Sequence, residues 1–132
     1  KVRLLICYET IFSGEIVNGE ARPDLIVNIT NDAWFGRTLG PWQHLAQSRM
    51  RAVEEGIAVI RVANNGISAG FDGFGRSLGQ IDLDDTGIID VVAPPPLSPT
   101  LFSKYRHSAF FLFSVLLALL ALRLDRKTAI RQ

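Results

Sequence analysis

Cys7 is the one cysteine in the chain, and Tyr8 and Glu9 follow it directly. A thiol that ends an apolar run, here Leu4-Leu5-Ile6, sits where open α/β sheets place their chemistry, at the C-terminal end of a strand. The chemistry such a residue suits is nucleophilic. An ordinary thiol, with a pKa of about 8.5, is only a few per cent ionised at neutral pH, but its thiolate is a strong nucleophile once a base or a cation assists it. The structural alternative is a small buried hydrophobe, the usual state of a free cysteine in a strand. The histidines are His44 and His107. A Cys-His pair with His44 is poorly supported, because His44 falls in the first turn of a helix with ordinary packing. No His or Cys cluster has metal-ligand spacing, so neither a metal nor a cofactor is expected.

The elements that must position Cys7 read as a mixed α/β order. Val2–Cys7 predicts a short buried strand, and Thr10–Val17 a short helix or irregular turn. Gly19–Pro23 is a polar loop, and Leu25–Ile29 a second buried strand. Ala33-Trp34-Phe35-Gly36 places two large aromatics in a glycine-flanked loop. Such side chains are costly to expose unless they meet a membrane, an acyl chain or a partner; otherwise they cover the core beneath the loop. Pro41 suits the first turn of a helix, and Gly56 suits its end. Trp42, Leu45, Ala46, Met50 and Val53 form the apolar stripe of that helix, with Gln43, Gln47, Arg51 and Glu54 opposite. Arg51 is placed for ion pairs with Glu54 and Glu55, and Arg49 for a solvated face. Strands are expected over Ile57–Ala63, Ile67–Phe71, Ser77–Ile81 and Ile88–Ala93. Turns fall at Asn64-Asn65-Gly66, at Asp72-Gly73-Phe74-Gly75 and at Asp84-Asp85-Thr86-Gly87. Together these predict an α/β layered domain whose sheet gains antiparallel hairpins.

The 132 residues fit one domain, and a net charge of +1 leaves no electrostatic footprint for nucleic acid. The hydrophobic fraction of 48% is raised by the tail. Residues 94–104 read as a proline-rich linker and 105–124 as a transmembrane helix, with Tyr105 at one interface and Arg123 snorkelling at the other. Residues 125–132 then form a basic cytoplasmic tail, with Arg126, Lys127 and Arg131. By the positive-inside rule, the domain of residues 1–93 lies on the far side of the membrane. A buried or interfacial helix is the alternative for the apolar run. The start at Lys1-Val2-Arg3, without an initiator methionine, reads as a cut inside a longer chain.

Several motifs taken in order carry a resemblance: Leu5-Ile6-Cys7-Tyr8-Glu9, Asn28-Ile29-Thr30-Asn31-Asp32-Ala33-Trp34-Phe35-Gly36, Gly40-Pro41 with Gln43-His44, Arg49 to Glu54, and Arg61-Val62-Ala63-Asn64-Asn65-Gly66. This series resembles the C-terminal half of the nitrilase, or carbon–nitrogen hydrolase, superfamily, and most of all its membrane branch of apolipoprotein N-acyltransferases. The resemblance implies an α-β-β-α sandwich with a Glu-Lys-Cys catalytic set. Cys7 matches the nucleophile, Tyr8 a backbone oxyanion donor and Glu9 a supporting carboxylate. The family's general-base Glu and its Lys precede the cysteine by many residues, and only six residues precede Cys7 here. The chain on its own is therefore expected to be inactive. The implied reaction moves a fatty acyl chain from a phospholipid, through a Cys7 thioester, to the amine of a diacylglyceryl-cysteine apolipoprotein. It implies substrate contact by Trp34 and Phe35 and residence in the bacterial inner membrane, with the catalytic domain periplasmic. A soluble-type amidase or nitrilase using the same cysteine, and a non-catalytic membrane-anchored half-domain, are the competing readings.

Overall fold

β1 (Val2–Ile6), β2 (Leu25–Asn31) and β3 (Val59–Asn64) run parallel, and β4 (Ser68–Phe71) and β5 (Ser77–Ile81) continue the sheet antiparallel. The strand order is β1-β2-β3-β4-β5. The protein is seen here as a computed structural model that describes residues 1–17 and 21–129, with side chains as far as 123. The polar loop over Gly19–Pro23 is thus described only from Ala21. Apolar, β-branched runs make the parallel strands, and Asn65, at φ +54°, turns β3 into β4 as the Asn-Asn-Gly signal predicts.

One face of the sheet is buried beneath helix α1 (Gly40–Glu55). Leu5, Ile26, Val59, Ala69 and Phe71 from the strands meet Leu45 and Ala52 from the helix, with Ile16, Ile57 and Ile67 closing the cluster. α1 begins with Pro41 in its first turn and ends at Gly56, whose φ of +64° is the left-handed cap glycine accepts without strain.

The helix is rotated from its expected stripe, keeping Leu45 inward and Gln43 outward as expected but turning most of the stripe to the surface. It buries His44, Ser48, Arg51 and Glu55 beside Leu45 and Ala52, and it exposes Trp42, Met50 and Val53. The reason is that the sheet beneath α1 is itself polar at its centre: Asn28, Thr30 and Arg61 point toward the helix, and only a helix face that answers with polar groups satisfies them. The expected Arg51–Glu54 pair forms at 2.7 Å. Arg51 is buried rather than surface-lying and also donates to Ile11 O at 3.0 Å.

Three other expectations change. Residues 88–93 form no strand; they pass in extended form over β4 and β5, with Val91 against Gly70 and Ile89 against Gly79. The proline-rich stretch is followed by a short helix α2 (Leu101–Tyr105), and it docks on the end of α1. Leu97 N–H donates to Gly56 O at 2.8 Å, and Thr100 Oγ1 both donates to Glu54 O and caps α2.

The transmembrane helix expected over 105–124 is not one helix. Arg106, at φ +48°, ends α2, and its side chain and that of His107 are tied to Val17 O and Ser13 O. Helix α3 (Ser108–Ala129) starts only after that turn. Among the described residues no helix is long and apolar enough to cross a membrane. The side chains of the basic tail at 125–132, on which the orientation rested, lie outside the described residues.

Candidate active site

Cys7 opens a 3₁₀ turn, Cys7–Ile11, directly at the C-terminal end of β1. Its φ is +52°, a left-handed conformation that costs a non-glycine residue of order 1–3 kcal/mol and persists only where surrounding contacts impose it. The sulfur is half-buried. Glu9 Oε2 accepts the N–H of Ile6 at 2.7 Å, so this carboxylate braces the backbone just before the cysteine. Asn28 Nδ2 donates to Leu5 O at 3.3 Å and to Cys7 O at 3.2 Å, bracing it from the β2 side.

Asn28 is one member of a fully buried polar network. Leu5, Asn28 and Arg61 are direct cross-strand neighbours on β1, β2 and β3. Arg61 Nη1 donates to Asn28 Oδ1 at 3.0 Å and to Ser48 Oγ at 3.3 Å, and Nε donates to Ile67 O at 3.3 Å. Its Nη2 pairs with Asp32 Oδ2. Asp32 Oδ1 in turn meets His44 Nδ1 at 2.9 Å and accepts from Thr30 Oγ1 at 3.2 Å. Gly66 has to be glycine here, because a Cβ would sit 2.5 Å from Asp32 Oδ2.

Burial works against the charge on Asp32, but the His44 hydrogen bond and the Arg61 charge outweigh it, holding the carboxyl below its ordinary range. Burial also pulls Arg61 below its ordinary value, and the Asp32 carboxylate opposes this.

The aromatic expectations divide. Phe35 is half-buried and joins Tyr8 and His44 in one cluster: His44 stacks on Tyr8 with centroids 5.1 Å apart, and Phe35 stands edge-on to both at 5.9 Å. A Cβ at Gly40 would come within 2.2 Å of the Phe35 ring, so this glycine lets the ring lie on the start of α1. Trp34 projects outward and is 85% exposed. The structure therefore brings Cys7, Tyr8, Glu9 and Phe35 together and leaves Trp34 at the rim. Asp72 is the turn residue it was expected to be, its Oδ1 accepting the N–H groups of Phe74 and Arg76, both at 2.9 Å.

The sequence reading gave no role to Asn28, Asp32 or Arg61 and treated His44 as ordinary packing. A signal was present: Arg61 stands alone in the apolar run Val59-Ile60-Arg61-Val62, and an arginine inside a buried strand must have partners. Among the described residues no group of His, Cys, Asp and Glu could hold a metal ion.

A family model described as carbon-nitrogen hydrolase matches residues 1–108. The chain is 44% identical over 128 residues to a protein of Rickettsia bellii named apolipoprotein N-acyltransferase, covering 96% of this chain and 26% of that one. It is 50% identical over 95 residues to a Brucella melitensis protein of the same name, covering 72% of this chain and 18% of that one. It thus spans about a quarter or less of these curated relatives. In fold it is similar to the amidase from Nesterenkonia sp., with TM-score 0.51 and 22% identity over 83% of this chain and 42% of that one.

Proposed function

The chain belongs to the carbon–nitrogen hydrolase family, and from that premise we propose that Cys7 is the nucleophile of an acyl transfer from phospholipid to the N-terminal amine of a lipoprotein. The observation that carries this reading is the left-handed Cys7 at the end of β1, braced by Glu9 on one side and Asn28 on the other. Strain of this kind is held where a side chain must be presented outward. The acceptor class comes from the likeness to the proteins named apolipoprotein N-acyltransferase, and the phospholipid donor from the reaction that the family resemblance implies.

In the proposed reaction a base from outside these 132 residues takes the Cys7 proton. The sulfur attacks the ester carbonyl, and in this scheme the Tyr8 N–H, the donor that the family resemblance implies, donates to the developing oxyanion. The C–S bond forms and the ester C–O bond breaks, and the lysophospholipid leaves with the proton held by the base. The acceptor amine then attacks the thioester carbonyl. A C–N bond forms, the C–S bond breaks, and the amine proton passes to the base as the thiolate is restored. The result is two half-reactions joined by an acyl-enzyme.

A bilayer supplies the donor. Trp34 would meet it at the rim, while α3 supports membrane association by carrying Phe and Leu side chains from Phe110 to Leu122 that are at least half exposed.

The test uses the full-length protein with phospholipid as the only substrate. Mass spectrometry of the Cys7 peptide should show a fatty acyl adduct, and Cys7→Ala should remove both the adduct and turnover. Full turnover in the Ala variant overturns the covalent scheme. Free fatty acid in place of amide product, with the acceptor present, would move the reading to a hydrolase.

A further inference from the structure

We propose that Arg61, acting through Asn28, is a positioning residue that holds the Cys7 elbow in the conformation that presents its sulfur; this rests on the reading of Cys7 as the nucleophile. The left-handed cysteine needs a restraint that the chain's own preferences do not supply. The Asn28 amide supplies it by donating to the carbonyls of both Leu5 and Cys7, which straddle Ile6.

An amide can do this in only one of its two orientations. Turned over, it would set its oxygen against two carbonyl oxygens. Arg61 fixes the choice: its guanidinium is a pure donor, so Asn28 must face it with Oδ1, and Nδ2 is left for the elbow. Arg61 is itself held in place by Asp32, Ile67 O and Ser48. The same network reaches the other side of the cysteine, since Asp32 holds His44 and His44 stacks on the Tyr8 ring. The elbow is therefore gripped at the carbonyl of Cys7 and at the side chain of the next residue. A buried Arg–Asp pair is weak ground for stability alone, because apolar residues of like volume commonly serve as well. Its orienting role gives it a reason to be there.

Asn28→Asp isolates the claim. The new side chain has the same shape and keeps an acceptor for Arg61, but it offers the Leu5 and Cys7 carbonyls an oxygen in place of an N–H. The measurement is the rate of Cys7 alkylation by iodoacetamide across pH, in the full-length protein and without lipid. In Asn28→Asp the limiting rate at high pH, where the thiol is fully ionised, should fall roughly tenfold or more, the size expected when one hydrogen bond's worth of positioning is lost. Arg61→Lys keeps the charge but cannot serve Asn28 and Asp32 together, so it should fall between.

A purely structural network would lower the melting temperature and leave the alkylation profile of the folded protein unchanged. That result in Asn28→Asp overturns the proposal. If Asn28→Asp does not fold, a wild-type profile in Arg61→Lys overturns it instead. Because alkylation needs no acyl donor, loss of the acyl adduct in the wild type would remove the transferase reading while leaving this measurement to stand or fall by itself.

Discussion

Trp34 and Phe35 are sequence neighbours in opposite surroundings, and their substitution should separate binding from stability. Phe35 fills the space between Tyr8, His44 and the start of α1. Phe35→Ala should therefore cost about 2 kcal/mol of stability, less than a fully buried ring, and should slow turnover as Tyr8 loses its support. Trp34→Ala touches no core contact, so its melting temperature should stay within about a degree of wild type while KM for vesicle-borne phospholipid rises. The check is thermal unfolding beside kinetics for both full-length variants. A large stability loss at Trp34 would return it to a packing role. At this scale the place of Cys7 at a strand end was legible as a local pattern, while the parts given to Tyr8 and Glu9 came from the family resemblance. The Asn28–Arg61–Asp32–His44 network was not, because its members come from β2, β3, the turn after β2 and α1 and meet only when register and helix face are fixed.

Among the elements, α1 carries the largest difference from its sequence pattern. Periodicity identified the helix, and Pro41 and Gly56 its ends, but of the expected stripe only Leu45 faces inward, because hydropathy does not register that the facing strands bear Asn28 and Arg61. Glu55 shows the consequence. It is buried at the C-terminal end of α1, and burial raises its pKa above the ordinary carboxylate value, a push that the Ser103 hydrogen bond and the nearby arginines only partly offset. The folded state then holds this proton more tightly than the unfolded chain does. Stability contributed here is present below the unfolded value of 4.5 and is lost as pH rises through the raised folded value. Glu55→Gln keeps the shape and removes the titration. The stability gain of the variant over wild type should grow as pH rises from 4.5 and then level off above the raised folded value. Unfolding curves for the full-length pair across that range would show it. Parallel curves at all pH values would mean that Glu55 is not titrating against its surroundings.

At the scale of the whole molecule, the sheet is half clothed. Its inner face carries α1. Its outer face presents two apolar rows across the parallel strands: Leu4, Val27 and Ile60 in one, and Ile6, Ile29 and Val62 in the other. Leu4, Ile6, Ile29 and Val62 are all more than half exposed. Parallel sheets are normally covered on both faces. That a half sandwich leaves an apolar face uncovered followed from the family resemblance, whereas which face α1 covers did not, since that depends on the polar Asn28, Thr30 and Arg61 finding partners on the helix. In the sandwich that the family resemblance implies, a second sheet lies here. That gives a prediction with opposite signs in two contexts. Replacing Leu4, Ile29 and Val62 together with Ser should make the 132-residue chain more soluble and reduce its binding of a hydrophobic dye. In the full-length protein the same change should cost roughly 2 kcal/mol or more per site and abolish folding, because each side chain would then be removed from a packed interface. Dye binding and sedimentation for the short chain, and folded yield for the long one, measure the two arms. A full-length triple variant of normal stability would mean that this face is open to solvent in the complete protein, and the sandwich would have to be abandoned.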